Sequence, residues 1–132
     1  MDYTTFTSEI KLIRSYRRSK KEIETQIDSL WYELSGVKGV NFKKEPSSHN
    51  PSLTEIRRLE LYDEIEELNR ELDFTIEAIK RYERNLNLLP SDIREMVEQI
   101  YFKDVPMATV SENAGYSTSG LYNRIRRAVE KI

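Results

Sequence analysis

The chain has 132 residues, which fits one small domain or a compact head joined to an extended element and excludes a large multidomain enzyme. Its composition is 38% hydrophobic and 33% charged with no cysteine, so we expect long amphipathic helices and exclude a disulfide framework or a thiolate metal site. The net charge of −2 argues against indiscriminate binding to nucleic acid, because proteins with that activity are usually basic overall.

The first predicted element is a long amphipathic helix over residues 5–34. Its apolar residues recur at steps of three and four, which places them on one helical face. They are Phe6, Ile10, Ile13, Tyr16, Ile23, Ile27, Leu30 and Leu34. Such a stripe predicts burial against another helix.

A long loop is predicted over residues 35–53. Ser35 and Gly36 have the composition of a helix end, and the residues that follow are typical of turns. Loops of this length are uncommon inside compact domains. The histidine in this loop, His49, has no companion ligand nearby, so we interpret it as an ordinary solvated residue.

The second long element is an amphipathic helix over residues 54–87, with Thr54 as the candidate N-cap. Its apolar face consists of Ile56, Leu59, Tyr62, Ile65, Leu68, Leu72, Ile76, Ile79, Tyr82 and Leu86. Two long helices joined by a loop predict an antiparallel hairpin that pairs as a coiled coil. Residues 1–87 are therefore the first predicted domain.

Charge predicts the register of this hairpin. The first helix has a basic run over residues 11–21, and the middle of the second, residues 63–77, is acidic. If Leu34 lies opposite Leu53, then Arg14 faces Asp73, and Lys21 faces Glu66. We interpret the basic run as a solvated flank of the hairpin, and a second DNA-binding patch is the alternative.

Residues 88–132 are the second predicted domain. Residues 90–102 are predicted to form a helix because proline is favoured at a helix start, and residues 103–106 break it. Two short helices follow, 107–114 and 118–131, which are separated by a turn at 115–117. The fold class is therefore all-α, a long hairpin followed by a C-terminal head.

The two short helices have the features of a helix-turn-helix. The motif needs small or apolar residues where its helices cross, and these are Ala108, Val110, Ser111 and Ala114. Gly115 suits the left-handed residue of the tight turn, and Ser117 suits the cap of the second helix.

The second helix of this motif has an inward and an outward face. Helical spacing places inside the apolar residues Leu121, Ile125, Ala128, Val129 and Ile132. The groups that we expect to read base edges in the major groove are Thr118, Ser119, Tyr122, Asn123 and Arg126. Those that we expect at phosphates are Ser117, Arg124, Arg127 and Lys131. A protein–protein module is the alternative, because basic residues are common at helix C-termini for dipole reasons alone.

The last third of the chain resembles region 4 of bacterial sigma factors. The residues that carry the resemblance are Leu89-Pro90, Tyr101-Phe102, Glu112, Gly115-Tyr116-Ser117 and the final run from Arg127 to Ile132. Sigma factors often have charged residues at the head of the recognition helix, whereas Thr118, Ser119 and Gly120 are uncharged. The chain also lacks room for the region that melts promoter DNA, so it is not a complete sigma factor.

A long helical segment followed by such a head resembles small phage transcriptional regulators of the ArpU and RinA type. The resemblance implies a DNA-binding regulator that activates late genes of a phage or mobile element in a Gram-positive host. The expected partners are double-stranded DNA, a second copy of the chain in a homodimer, and RNA polymerase. The alternatives are a small terminase-like DNA-packaging subunit and a structural coiled-coil adaptor.

We expect no enzymatic activity and predict no catalytic residue, metal or cofactor. One histidine and four scattered glycines provide neither a nucleophile–base pair nor a phosphate-cradling loop. The N-terminus has no signal-peptide pattern, and no apolar run is long enough to span a membrane. The expected location is therefore the cytoplasm of a bacterial host, without a membrane partner.

Overall fold

The computed structural model describes the backbone of residues 1–41 and 53–132, and the side chains of residues 1–36 and 53–132. Within these ranges the fold is helical and contains no strand, which confirms the all-α class. The helices are α1 (Tyr3–Asn41), α2 (Leu53–Asn87), α3 (Ser91–Val97), α4 (Met107–Ala114) and α5 (Thr118–Glu130). None of these described helices has an apolar stretch that could cross a membrane.

The first helix is longer than the sequence predicts. It continues through Ser35 and Gly36 to Asn41, so the helix end predicted at those two residues is wrong. An interior glycine costs a helix only about 1 kcal/mol, which is too little to end a helix that packs on a neighbour. The rest of the predicted loop, residues 42–52 with His49, lies outside the described residues. The second helix begins at Leu53 and ends at Asn87, so Thr54 lies in its first turn rather than at its N-cap.

One compact unit of the chain consists of residues Arg17–Glu77. In it α1 and α2 pack together in antiparallel directions, with Leu34, Leu61 and Ile65 in a buried cluster and Leu30 packed against it. The predicted register is wrong, because Leu34 shares a buried cluster with Leu61 and Ile65, which are eight and twelve residues further along α2 than Leu53. The apolar periodicity fits several registers of the two helices, so it does not select one of them.

The charges in this unit also differ from the prediction. Arg57 lies 2.9 Å from Glu33 across the helix pair and reaches Glu60 and Glu64 on its own helix. Glu66, which was predicted to face Lys21, lies instead 3.8 Å from Arg70. The predicted pairing of Lys21 with Glu66 is therefore wrong.

The other compact unit combines Met1–Tyr16 with Ala78–Ile132, and we call it the head. Its buried core takes residues from both ends of the chain: Phe6, Ile10, Leu86, Leu89, Ile93, Val97, Val110, Leu121, Ile125 and Val129. The first turns of α1 and the last turns of α2 thus belong to the same hydrophobic core as α3, α4 and α5. The sequence places a domain boundary at 87/88, whereas the compact units of the structure divide within the two long helices.

Polar and aromatic contacts join the ends of α1 and α2 inside the head. The rings of Tyr16 and Tyr82 stack with their centroids 6.0 Å apart. The Asn85 amide donates to both carboxylate oxygens of Glu9, at 3.0 and 3.2 Å. These contacts join residues near the start of α1 to residues near the end of α2, as an antiparallel arrangement requires.

The segment after α3 is held by α1. The predicted helix 90–102 is α3 followed by a π-helical turn over Glu98–Phe102, and the predicted break after it is confirmed at Asp104, where φ is +55°. The Arg14 guanidinium donates to both carboxylate oxygens of Asp104, at 2.8 and 2.6 Å, and to the carbonyl oxygen of Tyr101. The predicted pairing of Arg14 with Asp73 is therefore wrong.

We expect Arg14 and Asp104 to be coupled in a double-mutant cycle. Each residue is replaced by alanine singly and together, and the free energy of unfolding is measured by urea denaturation. Because a bidentate pair joins the side chains, the double variant should lose less stability than the two single variants added together. Arg14 and Asp73 serve as the control pair, and coupling between those two would restore the register predicted from the sequence.

The same coupling should depend on pH. The hydrogen bonds from Arg14 hold the pKa of the Asp104 carboxyl below its ordinary value. Since the folded pKa is the lower one, the stabilisation is complete at neutral pH and is lost as the pH falls through that lowered pKa. A coupling energy that stays constant into strong acid would contradict this assignment.

Candidate functional site

The candidate site is built on α4, α5 and the turn between them. Gly115 ends α4 in the left-handed region, at φ +79°, and the Tyr116 N–H donates to the Ser111 carbonyl oxygen at 2.8 Å. Only glycine adopts this conformation without strain, so the turn predicted from the sequence is confirmed. The two helices therefore meet at a short, fixed connection.

Ser117 caps the start of α5, as the sequence predicts. Its Oγ accepts a hydrogen bond from the Gly120 N–H at 3.0 Å. A Cβ added at Gly120 would lie 2.9 Å from that oxygen, so the absence of a side chain at position 120 leaves room for the cap. The hydroxyl remains able to donate, which the predicted phosphate contact requires.

The packing between α4 and α5 confirms part of the prediction. Val110 and Ser111 are buried, and the Ser111 hydroxyl donates to the Ala108 carbonyl oxygen at 2.9 Å. Ala108 and Ala114 are exposed, so the prediction that they lie where the helices cross is wrong. They lie on the side of α4 that faces away from the core.

The inward face of α5 matches the prediction. Leu121, Ile125 and Val129 are completely buried, and Ala128 and Ile132 pack against the same core while partly exposed. This face fixes the rotation of the helix about its axis. The direction in which the polar side chains of α5 point is therefore determined by the core of the head.

The five residues expected to read bases all lie on the exposed side of α5: Thr118, Ser119, Tyr122, Asn123 and Arg126. Three of them have partners, and the first is Ser119, whose hydroxyl lies 3.5 Å from that of Ser117. The Tyr122 ring packs edge-on against Tyr3, with centroids 5.4 Å apart, and Arg126 donates to Glu130 at 3.0 Å. Among the described residues Asn123 has no hydrogen-bond partner, so its amide is free to bind a ligand.

Three cations form a flank along the same helix, and they are the ones expected at phosphates. Arg124 lies 3.2 Å from Asp92 and 5.2 Å above the ring of Tyr116. This hydrogen bond lowers the pKa of the Asp92 carboxyl, which keeps it charged. The side chains of Arg127 and Lys131 have no ion pair or hydrogen bond within the part of the chain that the structure describes. We call Arg124, Arg127 and Lys131 the cationic flank.

A tyrosine cluster lies beside the other edge of α5 and was missed by the sequence reasoning. The Tyr3 hydroxyl is hydrogen-bonded to the Tyr101 hydroxyl, and burial together with this bond raises the pKa of Tyr3. The Met1 amine donates to the Ile132 carbonyl oxygen at 2.7 Å. The apolar spacing of Tyr3 with Phe6 and Ile10 was the available signal, but it indicates a buried face without naming what covers it.

No protein-family model matches the chain, and neither a curated protein nor a solved structure matches it.

Proposed function

We propose that the protein binds double-stranded DNA in a sequence-specific manner, with α4 and α5 acting as a helix-turn-helix and α5 as the recognition helix. The observation that carries the proposal is the exposed surface of α5. A stripe of uncharged groups, Ser119 and Asn123, lies beside Arg126 and next to the cationic flank. Short polar groups and arginine are the side chains that read base edges, while cations at the side of the helix bind phosphates.

The charge distribution supports this proposal. The chain as a whole has a net charge of −2, but α5 and the residue after it contain four cations and one acid, Glu130. Cations that are already paired bind phosphate less readily than free ones, because the existing partner must first be displaced. Arg127 and Lys131 have no such partner among the described residues, so we assign the main phosphate contacts to them.

The biological role follows from the resemblance to sigma region 4 and to the small phage regulators. We infer a transcriptional regulator that acts in the cytoplasm of a bacterial host, where a phage or mobile element uses it to activate late genes. Contact with RNA polymerase is part of this proposal. The head would bind DNA without catalysing a reaction.

The test compares two double variants of the full chain in binding to random duplex DNA over a range of salt concentrations. Replacing Arg127 and Lys131 by alanine should weaken binding and make the slope of log K against log salt smaller by about two units. The matched control replaces Lys11 and Arg18, two exposed cations of α1, and should leave the slope unchanged. Equal losses in both variants would move the DNA surface to α1, and a wild-type chain that binds no duplex would contradict the proposal.

We further propose that the protein is a homodimer. In the unit Arg17–Glu77 the side chains of Trp31, Leu59 and Tyr62 are 45%, 61% and 38% exposed, and the rings of Trp31 and Tyr62 touch edge to face. Apolar surface of this kind favours association. Sedimentation equilibrium of the full chain should give twice the monomer mass. A closed ring of about eight or more copies would favour the packaging-subunit alternative instead, and a monomer would contradict the homodimer.

A further inference from the structure

The head contains a cleft that shares the cationic flank with the proposed recognition surface, and its apolar side is not explained by DNA binding. It has a volume of about 800 Å³ and lies between α5 and the segment that joins α2 to α3. The joining segment supplies Leu88 and Pro90, α3 supplies Ile93, and the side of α5 supplies the cationic flank together with Ala128. One wall is therefore apolar and the other is positively charged.

The apolar wall is unusual for a surface that binds only DNA. Leu88 is 63% exposed although it adjoins Leu89, which is 4% exposed and belongs to the core. Pro90 and Ile93 line the same wall. A ligand that covers Leu88 gains affinity, because apolar surface is then removed from water.

The charged wall attracts an anion. Arg127 and Lys131 have no partner among the described residues and face the cleft together with the Asn123 amide. Arg124 is held between Asp92 and the ring of Tyr116, which fixes its guanidinium at the rim. The charge of Asp92 is offset by Arg124, so a ligand in the cleft meets a net positive wall.

The cleft is long as well as amphipathic. Its lining along α5 runs from Gly120 to the C-cap residue Lys131, which is about 16 Å at the 1.5 Å rise of each helical residue. A compact small molecule would not contact both ends. A helix of about three turns has this length and can present an apolar stripe to one wall and acidic residues to the other.

We propose that this cleft is the docking site for an acidic amphipathic helix of a protein partner. Leucine-like side chains of the partner cover the exposed Leu88 and Pro90, and its carboxylates bind Arg127 and Lys131. A DNA phosphate backbone would satisfy the charged wall but would leave Leu88 exposed to water. Dependence of binding on Leu88 therefore distinguishes a peptide from DNA, and the inference does not rest on the proposed DNA-binding function.

The experiment selects binders from a displayed library of helical peptides of about four turns. The peptides share an apolar stripe, and their flanking positions vary among glutamate, lysine and glutamine. Selection on the full-length wild-type protein should enrich peptides with glutamate beside the stripe. The enriched peptide, made synthetically and labelled, should lose about tenfold in affinity with Leu88→Ser and with Arg127→Ala, the size expected for one good contact. Folding of each variant is checked by circular dichroism.

Two controls complete the test. Phe74→Ser removes an apolar side chain of α2 that is 65% exposed, and Arg18→Ala removes a cation from α1, so both should leave peptide affinity unchanged. Affinity of Leu88→Ser for duplex DNA should also be unchanged. The proposal is overturned if no peptide is enriched, if the enriched peptides are basic or neutral, or if Leu88→Ser weakens DNA binding and not peptide binding.

Discussion

The change Phe6→Ala should lower the free energy of unfolding of the whole chain by about 3–5 kcal/mol. A fragment of residues 88–132 alone should not fold. Phe6 is 1% exposed and Ile10 is 2% exposed, and both belong to the buried cluster that contains Val97, Leu121 and Ile125. Without α1 these core residues would be open to water. Since a domain of this size is stable by only about 5–15 kcal/mol, the loss is a large share of the total.

The measurement is urea denaturation followed by circular dichroism at the helix band. The matched control is Leu12→Ala, because Leu12 lies on the same helix and is 41% exposed. Its removal should cost much less than that of Phe6, since little buried surface is lost. A fragment of residues 88–132 that melts cooperatively on its own, or equal losses for Phe6→Ala and Leu12→Ala, would show that α1 is not part of the core of the head.

This role of α1 could not be predicted from the sequence, and the reason is physical. Apolar spacing shows which face of a helix is buried, but it contains no information about what covers that face. The stripe from Phe6 to Leu34 is continuous, so nothing in it marks which residues pack on α2 alone and which also join the core formed with α3, α4 and α5. The sequence therefore assigns the whole stripe to one hairpin.

Helix ends were predictable where a local signal is strong. Gly115 and Ser117 fix the turn between α4 and α5 through their own backbone and side-chain chemistry, and both are found as predicted. Gly36 is a weak signal, because the cost of one glycine is outweighed by packing along a long helix. The π-helical turn before Asp104 is accompanied by a contact with Arg14, 90 residues away, and no local pattern reports such a contact.

In the candidate site, too, local features were predictable and contacts between distant residues were not. The outward and inward faces of α5 were predicted, because helical spacing alone determines them. The contacts of Tyr122 with Tyr3 and of Arg124 with Asp92 were not predicted, since they join residues far apart in the chain. For the same reason the cleft beside Leu88 appears only in the folded head.

The exposed face of α5 should separate residues that read bases from residues that hold phosphates. A preferred site is first selected from randomised duplexes with the wild-type protein. Asn123→Ala and Arg126→Ala should then weaken that site about ten- to hundredfold and leave random DNA nearly unaffected, because a bidentate base contact contributes about 1–3 kcal/mol of discrimination. Arg127→Ala should instead weaken all sequences alike and lower the salt slope by about one unit.

The ion pair between Arg126 and Glu130 does not prevent Arg126 from binding a base. Both side chains are about half exposed, and exposed pairs of this kind contribute only about 0–1 kcal/mol, which is less than a good base contact. Arg126 should therefore leave Glu130 when DNA binds, and Glu130→Gln should raise affinity for the selected site, because a competing charge is removed.

Unchanged discrimination in both Asn123→Ala and Arg126→Ala would show that the outward face of α5 does not enter a DNA groove. Since Leu121, Ile125 and Val129 fix the rotation of α5, another element of the head would then have to make the base contacts.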